Sequence, residues 1–230
     1  MARILRLDLI TKPLCPSHQI ASEPGPGWVS RISPMSAGPC RVGSIMFSTR
    51  VLLTCAALAV AHLLLHLCTV PVLTTLAPLA PPAYALVAGV HSFMPFLARR
   101  VTGVAGSALV TSGIAALLVI PSSSSGFIAA IPVLLAGVAI DLTLWRSAGG
   151  AEREARYLAA GAVTAGVLWA VSLVVFSPEH LTPVIVIGTL VGRLGGELLA
   201  VISSRVVASA LQRAGIGRGL RASDQSSPTS

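Results

Sequence analysis

Residues 51–70 read VLLTCAALAVAHLLLHLCTV, a run without a single Lys, Arg, Asp or Glu. A helix of that length rises about 30 Å at 1.5 Å per residue, the thickness of a bilayer's hydrocarbon core. Working outward, the chain from Val51 to Trp145 carries only three charges, Arg99, Arg100 and Asp141. Over all 230 residues, 54% are hydrophobic and 10% charged, against about 25% charged in ordinary soluble domains. Mean hydropathy is +0.84. A soluble globule is excluded, and an all-α polytopic membrane bundle is predicted.

Proline, glycine and charge divide the apolar sequence into six candidate spans, 51–70, 82–98, 101–120, 127–145, 157–176 and 183–202. The last is expected to run on to Leu211 among the headgroups, and Pro95 is expected to kink or end the second. Basic residues then set the orientation. Arg3, Arg6, Lys12, Arg31, Arg41 and Arg50 precede the first span. Arg99 and Arg100 separate spans two and three, and Arg146, Arg153 and Arg156 separate four and five. Arg205, Arg213, Arg218 and Arg221 follow the sixth. The connections 71–81, 121–126 and 177–182 carry none, so both termini are expected in the cytoplasm (N-in/C-in) of a multi-pass plasma-membrane protein. The net charge of +8 is thereby explained as topology, and with 4% aromatics it does not point to nucleic acid.

Three regions follow. Residues 1–45 are proline-rich and aperiodic, either a disordered leader or a stretch upstream of a natural start near Met46. Residues 46–216 form the six-helix transmembrane domain, and 217–230 a polar cytoplasmic tail.

Without a hydrophobic drive between helices in lipid, small residues mark the packing faces. Gly188, Gly192 and Gly196 recur on the sixth span, Gly103, Ser107, Thr111 and Ala115 on the third, and Ala57 and Ala61 on the first. Charges in hydrocarbon cost about 2.5–3.5 kcal/mol each even on insertion scales, so Asp141, Arg193 and Glu197 require a reason. Arg193 and Glu197 stand one turn apart, and a three-member network joining them to Asp141 is expected. His62 and His66 share a face of the first span, with His91 at mid-depth on the second. Their spacing does not match a zinc site, and no metal or cofactor is expected. Towards the outer side, His66, Tyr84, Trp169, Phe176, Glu179 and His180 are candidates to line a cavity with aromatic walls and polar hooks. There is no phosphate loop, nucleophile elbow or His-Glu-x-x-His motif. Energy for any transport would have to come from a gradient or a partner.

Several segments in order, STRVLLTCAA (48–57), PPAYAL (81–86), Arg99-Arg100, the stretch from Gly126-Phe127 through Gly137 to Asp141, and ASALQRAG (208–215), resemble the substrate-binding S components of energy-coupling factor (ECF) transporters, nearest the thiamine or hydroxymethylpyrimidine type. The likeness spans about residues 46–216. It implies a non-enzymatic vitamin-capture subunit of an ABC importer, docked to a transmembrane coupling protein and two cytoplasmic ATPases. Ala57 and Ala61 match the family's coupling-protein contact. The ligand would correspond to His66, the 71–81 segment, Trp169, Glu179, His180 and Arg193. Thiamine-type members commonly carry a Gln before the Gly of helix four and a Glu four residues after it; here stand Ala136 and Asp141. Two other readings stay open: a membrane-embedded enzyme acting on lipids through Asp141, His91 and Glu197, and a structural assembly subunit.

Overall fold

The computed structural model describes residues 48–123, 126–145, 151–175 and 182–215, with the side chains of 151–153 and 175 left aside. The region 1–45, the tail 217–230, and the candidates Phe176, Glu179 and His180 lie outside the described residues. Among the described residues the fold is all-helical, with α1 Thr49–Leu79, α2 Pro81–Ala88, α3 Phe93–Thr102, α4 Ser107–Val119, α5 Phe127–Thr143, α6 Ala151–Val175 and α7 Pro183–Arg213. Three helices among the described residues are long and apolar enough to cross a membrane: Thr49–Leu79, Glu154–Val174 and Pro183–Arg213. Ser107–Ser122 and Phe127–Thr143 are shorter apolar helices. Outward-facing Leu79, Phe127, Val174 and Val184 are each more than three-quarters exposed, a surface suited to lipid rather than water.

The expected connection at 71–81 is corrected: α1 continues through Pro71 and Pro78 to Leu79. Proline removes a ladder donor, but in membrane helices hydroxyl side chains can satisfy nearby backbone groups. Thr74 donates to Pro71 O at 3.0 Å and Thr75 to Val72 O at 2.9 Å, on carbonyls between the Leu67 and Thr74 oxygens that Pro71 and Pro78 deprive of a donor. The helix stops only where two prolines follow one another. Ala80 turns out to φ −149°, ψ 77°, away from the helical region as expected of a residue before proline, and Pro81 opens α2.

The second span is broken, but not at Pro95. A 3-10 turn at Gly89–Ser92 separates α2 from α3, and Pro95 falls in the first turn of α3, where its missing N–H costs nothing. The third span also begins later than expected. Gly103 is not in a helical stripe; it caps α3 in the left-handed region at φ 70°, and α4 starts at Ser107.

The sixth-span glycines pack as the small-residue pattern predicts. A Cβ at Gly192 would collide with the Pro82 carbonyl, and one at Gly196 with the Leu86 carbonyl, so α7 lies directly on the backbone of α2. Phe96, Ile140, Leu144, Tyr157, Ala200 and Val201 form the core that joins α3, α5, α6 and α7. Ala59, Ala115, Ala116, Ala130 and Val133 join α1 to α4 and α5.

Candidate functional site

Between α2, α6 and α7 lies a narrow, tightly closed cleft lined by Tyr84, Ala85, Trp169, Ser172, Thr189 and Arg193. Packing sets its walls. The α2–α7 contact brings Tyr84 and Ala85 opposite Thr189 and Arg193, while Trp169 is pinned by an indole N–H bond to Val186 O of 3.1 Å. Thr189 donates to the same carbonyl at 2.9 Å, and Ser172 donates to Leu168 O at 2.8 Å. Both hydroxyl protons are therefore committed to backbone, so these oxygens have only lone pairs left to offer.

Arg193 is only 6% exposed. Its Nε is buried without a hydrogen-bond partner, and no hydrogen bond or ion pair holds the guanidinium among the described residues. Glu197, one turn on, is fully buried and turns elsewhere: its Oε1 accepts from Ser92 Oγ at 2.7 Å, while Oε2 has no partner. No ion pair within 4.0 Å links the two. The spacing expected to pair them gives proximity without contact.

Asp141 lies apart from both, so the structure splits the expected three-member network. Asp141 Oδ1 stands 3.6 Å from Arg99 Nε, and Oδ2 accepts from the Leu109 backbone N–H at 2.7 Å. Leu109 is in the first turn of α4, whose own cap, Gly106, offers no side chain. A carboxylate from α5 therefore caps α4 across the bundle, where the helix dipole favours negative charge. Arg99 also donates to Leu144 O at 2.9 Å. Arg100 makes a fork onto Glu154 at 2.9 and 3.1 Å, donates to Ser204 at 3.1 Å, and stacks 3.8 Å over the Tyr157 ring. Arg205 stands 3.9 Å from the same Glu154. These contacts fasten α3, α5, α6 and α7 at the end of the bundle opposite the cleft. The sequence shows Arg99 and Arg100 as an orientation signal; their partners, over 40 positions away on other helices, carry no local signature.

His66 is not among the residues that line the cleft. It sits with His62 and His91, ring centroids 5.3 Å from His91 for His66 and 5.4 Å for His62, and His91 Nε2 lies 3.2 Å from Thr69 Oγ1. Among the described residues no group of three or more His, Cys, Asp or Glu is arranged to hold a metal ion. Ala57 is exposed and Ala61 half-buried on α1. Sequence reasoning missed Ala85, Ser172 and Thr189; small residues of that kind carry no distinguishing pattern in an apolar helix.

No family model and no curated protein matches the chain. A solved structure described as the crystal structure of an S-component of ECF transporter is similar with a TM-score of 0.63 and 22% identity, over 79% of this chain and 100% of that one. The chain has the fold of an S component.

Proposed function

We propose that the chain is the membrane substrate-capture subunit, the S component, of an ECF-type importer for a small water-soluble vitamin or vitamin precursor, binding it without chemical change. The observation that carries this reading is the fold likeness, which spans the whole of an S component. The cleft adds support, because its aromatic walls and one buried, unpartnered cation suit capture of a small polar molecule better than structural closure. The asymmetric placement of Arg and Lys supports an orientation with both termini and the Arg100–Glu154–Arg205 cluster towards the cytoplasm and the cleft towards the outside.

With no phosphate loop of its own, the subunit draws energy from partners: a transmembrane coupling protein and two cytoplasmic ATPases. Ala57 and Ala61 on α1 are the proposed docking face. Thiamine and its pyrimidine precursor are ligands suggested by the sequence resemblance. Binding of radiolabelled vitamins to the purified full chain tests the reading: binding of one of them with 1:1 stoichiometry is expected, and a protein that binds none would overturn it.

A further inference from the structure

Resting on the substrate-capture reading, we infer that the cleft takes a small organic monocarboxylate that also carries a neutral hydrogen-bond donor, with Arg193 holding the carboxylate. A donor and acceptor count on the cleft walls leads there. The Arg193 guanidinium has five N–H donors in a rigid fork, and none is engaged by a hydrogen bond or ion pair among the described residues. Glu197 does not substitute for a ligand: it is not among the cleft-lining residues, it has no ion-pair contact with Arg193, and its Oε1 is taken by Ser92. A buried guanidinium whose N–H groups are unbonded is expensive even with the Glu197 carboxylate one turn away, and an incoming carboxylate matched to the fork in bidentate geometry lowers that cost.

The other groups narrow the class. The Trp169 N–H and the Ser172 and Thr189 hydroxyl protons are committed to backbone carbonyls, so beyond Arg193 only the Tyr84 hydroxyl is free to donate. One cation and one hydroxyl suit a singly charged carboxylate and are too few for a phosphate dianion. The lone pairs of Ser172 and Thr189 accept, so the ligand brings a hydroxyl or N–H to meet them. Tyr84 and Trp169 flank a flat or apolar body. Thiamine, a cation, would meet Arg193 with like charge, and its uncharged pyrimidine precursor would bring no carboxylate to the guanidinium.

The test uses the full chain in dodecyl maltoside and a panel of pairs that differ in charge, nicotinate with nicotinamide and pantothenate with panthenol, together with thiamine. Binding is read by calorimetry and by the thermal midpoint. At least one acid is expected to bind about tenfold or more tighter than its uncharged partner, and R193Q to abolish that preference. R193K, which keeps the charge and loses the fork, is expected to bind the acid about tenfold more weakly while remaining monodisperse, and it keeps the test open if R193Q fails to fold. If thiamine or the uncharged compounds bind as tightly as the acids, or R193Q binds the acid like wild type, the carboxylate assignment falls and the capture reading stands. If nothing in the panel binds, whatever its charge, the carboxylate assignment falls, and the capture reading falls with it only when the radiolabelled-vitamin assay is negative as well. Repeating the measurement in phosphatidylcholine nanodiscs with added phosphatidylglycerol separates the remaining source of an anion. Unchanged acid affinity is expected, and displacement of the acid by the anionic lipid would assign Arg193 to a headgroup and overturn the inference.

Discussion

At the residue scale, each buried charge outside the cleft is tied to a backbone or side-chain partner on another helix, and burial decides how much each tie matters. Asp141 and Arg99 have side chains only 7% exposed, whereas Glu154 is 37% exposed, so solvent screens the Arg100–Glu154 contact far more. Asp141→Asn is therefore expected to lower stability by about 1–3 kcal/mol, through loss of the charged α4 cap and of the carboxylate facing Arg99, which keeps only its bond to Leu144 O. Glu154→Gln is expected to cost less than about 1 kcal/mol. Thermal unfolding in detergent checks the order, and a larger loss for Glu154→Gln would contradict it. In a double-mutant cycle, Arg99→Gln on the Asp141→Asn background is expected to add little, since the partner is already gone; full additivity would mean the two residues do not act as a pair. Spacing along one helix brought Arg193 and Glu197 within reach of each other. It carried no information on side-chain direction, and Ser92, supplied by another part of the chain, takes Glu197 away.

At the element scale, the apolar runs marked where helices lie but not how many: six spans were expected, and the described residues hold seven α-helices, the second span being split into α2 and α3, with three of the seven long and apolar enough to cross a membrane. Ends and breaks were less legible. Pro71 and Pro78 look like loop residues but stay helical beside threonine hydroxyls, while the break in the second span falls at Gly89–Ser92, against the α7 glycines, rather than at Pro95. That displacement is tertiary in origin, and a single segment cannot encode it. Gly196→Val should accordingly disrupt the α2–α7 contact and lower the thermal midpoint, because its Cβ would meet the Leu86 carbonyl. An unchanged midpoint would show that α7 does not press on α2 in solution. The opposite behaviour is expected on α1: Ala57→Trp and Ala61→Trp leave folding and ligand affinity near wild type while abolishing association with a coupling protein. Loss of ligand binding in those variants would place the two alanines in the bundle's interior economy instead.

At the scale of the whole molecule, the charge distribution and the fold agree on a bundle with two unlike ends: one fastened by Arg99, Arg100, Glu154 and Arg205, the other holding the aromatic cleft. Single cysteines at Ser122 and Arg213, in a chain whose four native cysteines are replaced, report the orientation. With an impermeant maleimide on intact cells, labelling is expected at the first and only after lysis at the second; the reverse pattern would invert the topology. The pocket itself was half legible, since Tyr84, Trp169 and Arg193 stand out in an apolar sequence while Ala85, Ser172 and Thr189 do not. The central claim, capture for an ATP-driven partner, is tested most directly by isolating the tagged full chain from its own membranes and assaying the isolate for ATP hydrolysis. The account expects a complex with a coupling protein and two ATPases that hydrolyses ATP, and loss of that activity from the isolate when Ala57 and Ala61 are both changed to Trp. A chain that isolates alone, with no ATPase activity, would contradict it.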